Sequence, residues 1–325
     1  MRRISRALIA LLLVARATTS AGQDVGTPNA SVRLDVDNDV FAPHTGAPAD
    51  YDYTQGARLS IRRPLAPAFL SRALRAAPHC SDSTTTKQPC LLSGVSIGQE
   101  IYTPRHNVRE PIAGDRPHAA WLFGAARVER LGTASLHALE LAAGVTGPPA
   151  LGEELQNGVH RILQNRLIAG WNHQIPTRLG LALAYDATHV LSSGAPTAAS
   201  RFLAASAGAT VGNLRREMRA GASAHFSFGG AHSRSADAPL VARPGRFHLS
   251  AGVQQSLVTY DAFVEGMGGS RGALRIPWVN DAYVGAGMRL GRFAAEYRVV
   301  SRGREYLSAK ERHAYGAIGL SVVSR

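Results

Sequence analysis

Residues 31–41 read Ser31-Val32-Arg33-Leu34-Asp35-Val36-Asp37-Asn38-Asp39-Val40-Phe41. Val32, Leu34, Val36 and Asn38 fall on one side of an extended chain, and Arg33, Asp35, Asp37 and Asp39 on the other. A strand with apolar side chains on one face and a ladder of charges on the other has its place in a closed barrel that faces lipid outward and water inward. The same alternation returns in segments of ten to fourteen residues, each bounded by turn residues. We read twelve strands, at about residues 31–41, 53–63, 91–103, 117–129, 134–146, 177–190, 201–212, 215–228, 246–263, 278–290, 293–306 and 312–323. The expected fold is therefore all-β, a twelve-stranded antiparallel transmembrane β-barrel. An even strand number returns both chain ends to the periplasm. The connections at 42–52, 104–116, 147–176, 213–214, 264–277 and 307–311 then face outward.

Composition agrees with this reading. The chain has 325 residues, 45% of them hydrophobic, 33 glycines and only 18% charged residues. After the first twenty positions there is no uninterrupted apolar run of ~20 residues, as a membrane-spanning helix needs. Arg2, Arg3 and Arg6 precede a short apolar run, Ala7 to Val14, and small residues at Ala17 and Ala21. That is the layout of a secretory signal, so residues 1–21 are read as a signal peptide and 22–325 as the barrel domain in a Gram-negative-type outer membrane. The net charge of +13 suits an anionic partner. In an exported chain a phosphorylated glycolipid fits better than nucleic acid. Cys80 and Cys90 are the two cysteines. In an oxidising compartment they are expected to close one disulfide over a polar periplasmic loop, with two free thiols as the other state.

One stretch departs from the β pattern. Leu151, Leu155, Val159, Ile162 and Leu163 recur at helical spacing between Pro149 and Leu163, which predicts a short helix in an outer loop, with Pro148 and Pro149 at its start and Glu153 and Glu154 in its first turn. A helix against a barrel wall forms a groove. His160 lies on it, four residues after Gln156 and so on the same face. Such an imidazole can act as a general base, although a lone histidine is more often a surface or packing residue. Asn38-Asp39 at the end of the first strand and Tyr51-Asp52-Tyr53-Thr54-Gln55-Gly56 at the start of the second are brought together by hairpin pairing. They offer the oxygen ligands that calcium prefers, or else a plain polar rim. Arg105, Arg109 and Arg116 in the second outer loop can meet phosphate or simply be solvated. Gly94-Val95-Ser96-Ile97-Gly98 has the letters of a nucleophile elbow, but its context is strand-like where the elbow needs a sharp strand-to-helix turn.

Taken together, Asn38-Asp39, Asp52-Tyr53-Thr54 with Gly56, Gln99 with Tyr102-Thr103-Pro104, Gly114-Asp115-Arg116, Gly147-Pro148, Gln156-Asn157 with His160, and Trp171 with Gln174 resemble the outer-membrane lipid A 3′-O-deacylases, the LpxR-type family. The resemblance covers most of the chain and is strongest from 33 to 175. It implies calcium-dependent ester hydrolysis of lipid A, with logic similar to phospholipase A2. In that mechanism His160 activates a water, Asn38 and Asp39 hold Ca2+, and Thr54 completes the catalytic set. Arg109 and Arg105 are the expected substrate-binding cations, and lipopolysaccharide in the outer leaflet is the expected partner. One departure is visible: a family member has an acidic residue six positions after the histidine, where this chain has Arg166. The competing expectations are a channel or structural barrel without activity, and a phospholipase in which Ser96 meets a histidine.

Overall fold

In the computed structural model the described residues are 30–43, 51–63, 89–132, 134–193, 199–228 and 246–323. The expected signal peptide and Cys80 lie outside them. The twelve strands are β1 (Ser31–Asn38), β2 (Asp52–Arg63), β3 (Cys90–Thr103), β4 (Ala119–Leu131), β5 (Ser135–Thr146), β6 (Leu179–Ser193), β7 (Ala199–Gly212), β8 (Arg215–Phe228), β9 (Phe247–Asp261), β10 (Trp278–Leu290), β11 (Phe293–Arg302) and β12 (His313–Val323). Each pairs antiparallel with its sequence neighbours, and β1 pairs with β12 from Ser31↔Val323 to Asn38↔Gly316, closing the sheet. Closure leaves no edge strand, which is what a wall in hydrocarbon requires.

The faces follow the alternation of the sequence. Arg33, on the inner face, binds Asp35 at 2.8 Å and, over the intervening strand β12, Glu296 at 2.7 Å. Arg58 reaches Glu140 at 2.7 Å and Ser96 Oγ at 2.8 Å, and Arg219 reaches Asp186 at 2.8 Å. Outward, Ile97, Leu141, Leu181, Val211, Val253 and Val284 are exposed, as the apolar band of a lipid-facing barrel must be.

Many strand boundaries shift by one to three residues from the sequence reading; three strands end early, two of them on a side-chain cap. β1 stops at Asn38, because its side-chain oxygen accepts from Val40 N–H at 2.8 Å and turns Asp39–Phe41 into a single 3-10 turn. Gly316 opposite makes room for this turn, since a Cβ there would lie 2.6 Å from Phe41 backbone atoms. β9 ends at Asp261, whose carboxylate caps Phe263 N–H at 2.8 Å and opens helix α2 (Ala262–Glu265). β11 ends at Arg302, four residues early.

The outer half of the lumen is packed. Phe263 of α2 stacks on Tyr102 (ring centroids 4.7 Å apart), and Trp121 stacks on Phe123 at 4.3 Å. Above them Arg116, fully buried, donates to Glu305 at 2.9 Å and lies 3.7 Å from Asp52. Tyr306 O–H donates to Asp52 at 2.6 Å. The carboxylates hold the Arg116 guanidinium well above its ordinary pKa against the opposing effect of burial, and the surrounding guanidinium groups hold Glu305 far below the carboxylate range. Asp52 adopts a left-handed backbone (φ 65°), which a short polar side chain tolerates. Removing Arg116 strands two buried carboxylates, so Arg116→Ala is expected to destabilise the barrel by about 3 kcal/mol, the lower end for a broken buried pair because Arg302 and Arg105 still reach the same carboxylates. The measurement is the denaturant midpoint of heat-modifiable gel mobility; an unchanged midpoint would mean that the network adds nothing.

Candidate functional site

The site residues are built on the outside of the wall. Val32, Leu34 and Val36 face lipid, so Asn38 at the end of the same strand faces outward too. Asn38 pairs with Gln55, and Gln55 with Ile101. Between Tyr53 and Gln55 the β2–β3 register slips by one residue, and Thr54 is the extra one. Such a bulge re-aims a side chain: Tyr53 stays inside, bonded to Asp37 at 3.0 Å, while Thr54 turns outward to Thr103, with the two hydroxyl oxygens 2.5 Å apart. Asp39, Thr54 and Thr103 are all buried. Asn38, Asp39 and Thr54 thus come together at the outer ends of β1 and β2.

His160 is supplied from the neighbouring stretch of wall. After a 3-10 turn at Pro148–Ala150, helix α1 (Gly152–Leu163) lies across the outward face of β3 and β4. Ala150 packs with Ile101, Ala120, Ile168 and Trp171, and Gln99 Nε2 donates to the Ala150 carbonyl at 2.5 Å. Gly152 permits the contact, because a Cβ there would stand 2.6 Å from both Ala120 Cβ and the Trp171 ring. The side chains that α1 buries are polar: Gln156, Asn157 and His160. A surface helix ordinarily buries its apolar stripe, and the stripe seen in the sequence is instead exposed, at Leu151, Leu155, Val159, Ile162 and Leu163.

Each buried polar group has a stated partner. Gln156 Oε1 accepts from Trp171 Nε1 at 3.2 Å. Asn157 bonds Ile168 both ways, accepting from its N–H at 2.8 Å and donating to its C=O at 3.1 Å. Asn107, from the second outer loop, grips the same strap from the other side through Ala169 N–H (2.8 Å) and Leu167 C=O (3.0 Å). His160 Nδ1 lies 2.5 Å from the Arg166 carbonyl oxygen. A carbonyl only accepts, so Nδ1 carries the proton and Nε2 keeps its lone pair. The orienting group is therefore the backbone of residue 166. The arginine side chain, exposed to solvent, has no part in it, and the departure noted in the sequence leaves the histidine oriented.

The two expected substrate-binding arginines part company. Arg105 is occupied inside the mouth, 3.6 Å from Asp52, 3.5 Å from Glu311 and stacked over Tyr51. Arg109 instead lines an open groove of about 980 Å3 between the second outer loop, the charged side of α1 and the 167–177 strap, together with Arg161, Glu153 and Trp171. Ser96 sits mid-strand in β3, regular with both neighbours and bonded to Arg58 in the lumen; the nucleophile-elbow reading fails because no turn exists there. Asn107 and His118 went unread in the sequence. Both act through backbone and ring packing, for which one sequence gives no signal.

The described residues include no group of three or more histidine, cysteine or acidic side chains suited to a metal. The donors at the β1–β2 rim are oxygens: the Asp39 carboxylate, the hydroxyls of Thr54 and Thr103, and the Asn38 amide oxygen, which has a second lone pair beyond its bond to Val40. Such a set fits a hard divalent cation, and one carboxylate makes it a weak site.

A closed wall with an apolar exterior and a loop-borne polar groove at one rim defines an outer-membrane β-barrel. The family model for the outer membrane protein LpxR matches residues 7–323. The chain belongs to this LpxR outer-membrane protein family. Among solved structures it resembles LpxR from Salmonella typhimurium, with a TM-score of 0.72 and 20% identity over 90% of this chain and 100% of that one. The β domain of the Bordetella autotransporter BrkA is also similar (TM-score 0.43, 11% identity, 93% of this chain and 100% of that one). No curated protein matches by sequence.

Two outcomes follow from the packing of α1 and the strap. Gly152→Leu should lift the helix from the wall, giving faster trypsin cleavage after Arg161 and Arg166 with barrel mobility on gels unchanged; cleavage at the wild-type rate would refute the contact. His118 is buried against Trp171 (ring centroids 4.9 Å), and burial lowers its pKa to about 4. Between about 4 and the ordinary ~6.5 the undocked loop binds the extra proton, so docking is fully stable above ~6.5 and weakens as pH falls toward 4. The protection factors of amides 164–176, taken relative to their intrinsic exchange, should therefore fall on acidification, and His118→Phe should remove that fall.

Proposed function

We infer that this chain is a lipid A deacylase that hydrolyses the ester of a 3′-linked acyl chain at the surface of the outer leaflet. The observation that carries the reading is His160. It lies on the buried face of α1, with Nδ1 held by the Arg166 carbonyl; α1 starts on the outward face of β3 and β4, beside the stretch of wall that ends in Asn38, Asp39 and Thr54. An imidazole so oriented offers Nε2 as base to a water. The water gives up its proton to Nε2 and adds to the ester carbonyl. Collapse of the tetrahedral intermediate expels the sugar oxygen, which takes the proton back from the imidazolium and leaves a free fatty acid and a 3′-hydroxyl. Asn38 and Asp39 would hold the calcium ion, which when bound supplies the counter-charge for the oxyanion. Thr54, tied to Thr103, fixes the rim beside them. Arg109 in the groove meets the glycolipid phosphate, and its planar fork matches that anion better than a zwitterionic headgroup.

A channel is disfavoured by the packed outer half of the lumen, where Phe263, Tyr102, Trp121 and Phe123 meet. A phospholipase built on Ser96 is disfavoured because Ser96 faces the lumen and bonds Arg58; an acyl hydrolase acting on phospholipid through His160 would differ in substrate only. The experiment is deacylation of lipopolysaccharide and, separately, of phospholipid by the folded barrel, read by mass spectrometry. His160→Ala is expected to lower the rate by ~10²–10⁴-fold. Asp39→Ala and chelation of calcium should each abolish it, with half-maximal activity at ~10⁻⁴–10⁻³ M calcium as suits a site with one carboxylate. Arg166→Ala should retain activity within a few-fold, because it leaves the carbonyl in place. Full activity in folded His160→Ala would overturn the base, and full activity in excess chelator would overturn the metal.

A further inference from the structure

The surface of α1 has three faces. Counted at ~100° per residue from Gly152, the buried side chains Gln156, His160 and Asn157 lie at about 40°, 80° and 140°. Arg161 and Glu154 lie at about 180–200°. Leu155, Val159, Ile162 and Leu163 fall between about 280° and 20°, with Leu151 exposed just before the first turn and Gly152, at the helix start, meeting the wall within that arc. The first face is buried and bonded to the 166–171 strap. The second lines the open groove with Arg109 and the strap. The third is bare: Ile162 is 62% exposed and Leu151 49%.

The wall says what lies against that face. Along the outward side of β4, Ala120 is fully covered by the helix turn, Leu122 is half covered, and Gly124 is exposed. Gly124 pairs with Ile97, and Ala126 with Leu141, and both partners are more than half exposed. The lower edge of the covered patch thus runs directly into the apolar band of the barrel, which faces membrane. The charged face is turned the other way, to the outer loops.

We propose that the apolar face of α1 is a membrane-docking surface, seated among the acyl chains of the outer leaflet so that the buried polar stripe is held at the depth of the acyl–headgroup boundary. A helix with one apolar and one charged side lies in such a boundary, and here the wall adds a third contact that fixes its rotation. The proposal rests on the outer-membrane setting and not on the deacylase reading. Its consequence for that reading is that the substrate ester meets His160 without leaving the bilayer.

The test is depth-dependent quenching. Ile162→Cys and Glu154→Cys are each labelled with bimane in the full barrel, with the unlabelled-site parent as background for Cys80 and Cys90. Each is placed in phosphatidylcholine vesicles containing lipopolysaccharide and ~10% acyl-chain doxyl lipid. The expected result is quenching at 162 at least three-fold stronger than at 154, with aqueous iodide giving the reverse order. Equal doxyl quenching at both positions overturns the proposal. So does a label at 162 that neither quencher reaches, which would mean a second protein copy covers the face. Neither readout needs activity. In a second arm, Leu155→Asp with Ile162→Asp should lower hydrolysis of membrane-embedded lipopolysaccharide at least ten-fold while detergent-dispersed substrate is cleaved at the parental rate. Equal losses on both substrates, with the Ile162→Cys label of the first arm quenched as expected, would leave docking intact and refute its link to the reaction.

Discussion

Hydrocarbon offers no hydrogen-bond partner, so every N–H and C=O of a wall that crosses it must be satisfied by another strand. The β1–β12 pairing, eight residues from Ser31 to Asn38 against Val323 to Gly316, is where that requirement is met. Once the sheet closes, side-chain direction is fixed by the pleat: Arg33, Asp35 and Asp37 must go into the lumen and Leu34, Val36 and Asn38 must face out. The lumen charges then neutralise one another along the inner wall, as Arg33 does with Glu296 over β12. A single residue of slippage would put that ladder into lipid. Where slips are tolerated, at Thr54 and in the β6–β7 and β8–β9 pairs, they lie near strand ends; the one at Thr54 turns a hydroxyl outward without carrying a charge into the hydrocarbon.

This constraint explains what could be read from the sequence and what could not. Period-2 alternation is imposed along whole strands, so strand number, antiparallel closure and the inward face of residues such as Asp35 and Arg58 were all legible, with ends off by a few residues. The ends are decided by single side-chain bonds, such as Asn38 to Val40 and Asp261 to Phe263, which alternation does not encode. The helix was legible for the same reason as the strands, through the repeat of Leu151, Leu155, Val159 and Ile162. Its rotation was not. In water the apolar stripe would seek the protein; beside a bilayer the polar side chains do, and Gln156, Asn157 and His160 take the partners offered by residues 166–171. The sequence of α1 is the same under both rules, and only knowledge of the solvent chooses between them.

The candidate site shows a similar division. Asn38, Asp39, Thr54 and His160 are residue types with evident chemistry, and their order along successive outer strand ends resembles a known family. The supports that hold them are chemically ordinary. Thr103 is needed only as a hydroxyl facing Thr54. Asn107 and Asn157 act as pieces of backbone, pairing with residues 167–169 as a strand would. Arg166 is needed only for its carbonyl, which every residue has. A reading of side chains assigned significance to the loss of an acid at 166; the geometry moves the function to an atom that substitution does not touch.

Arg105 and Arg109 carry the argument one step further. Both are cations in one short outer loop, and by type either could receive a phosphate. Desolvation separates them. Arg105 is drawn toward Asp52 by a network that cannot leave a carboxylate buried and unpaired, and Tyr51 covers its remaining face. Its charge is spent on closing the mouth. Arg109 has no such partner in the mouth and stands in the open groove beside the charged side of α1. The packed lumen and the exposed groove are therefore two consequences of one arrangement. Carboxylates that close the barrel internally leave the anion-binding capacity of the loop on the outside, next to the helix that faces lipid on its other flank.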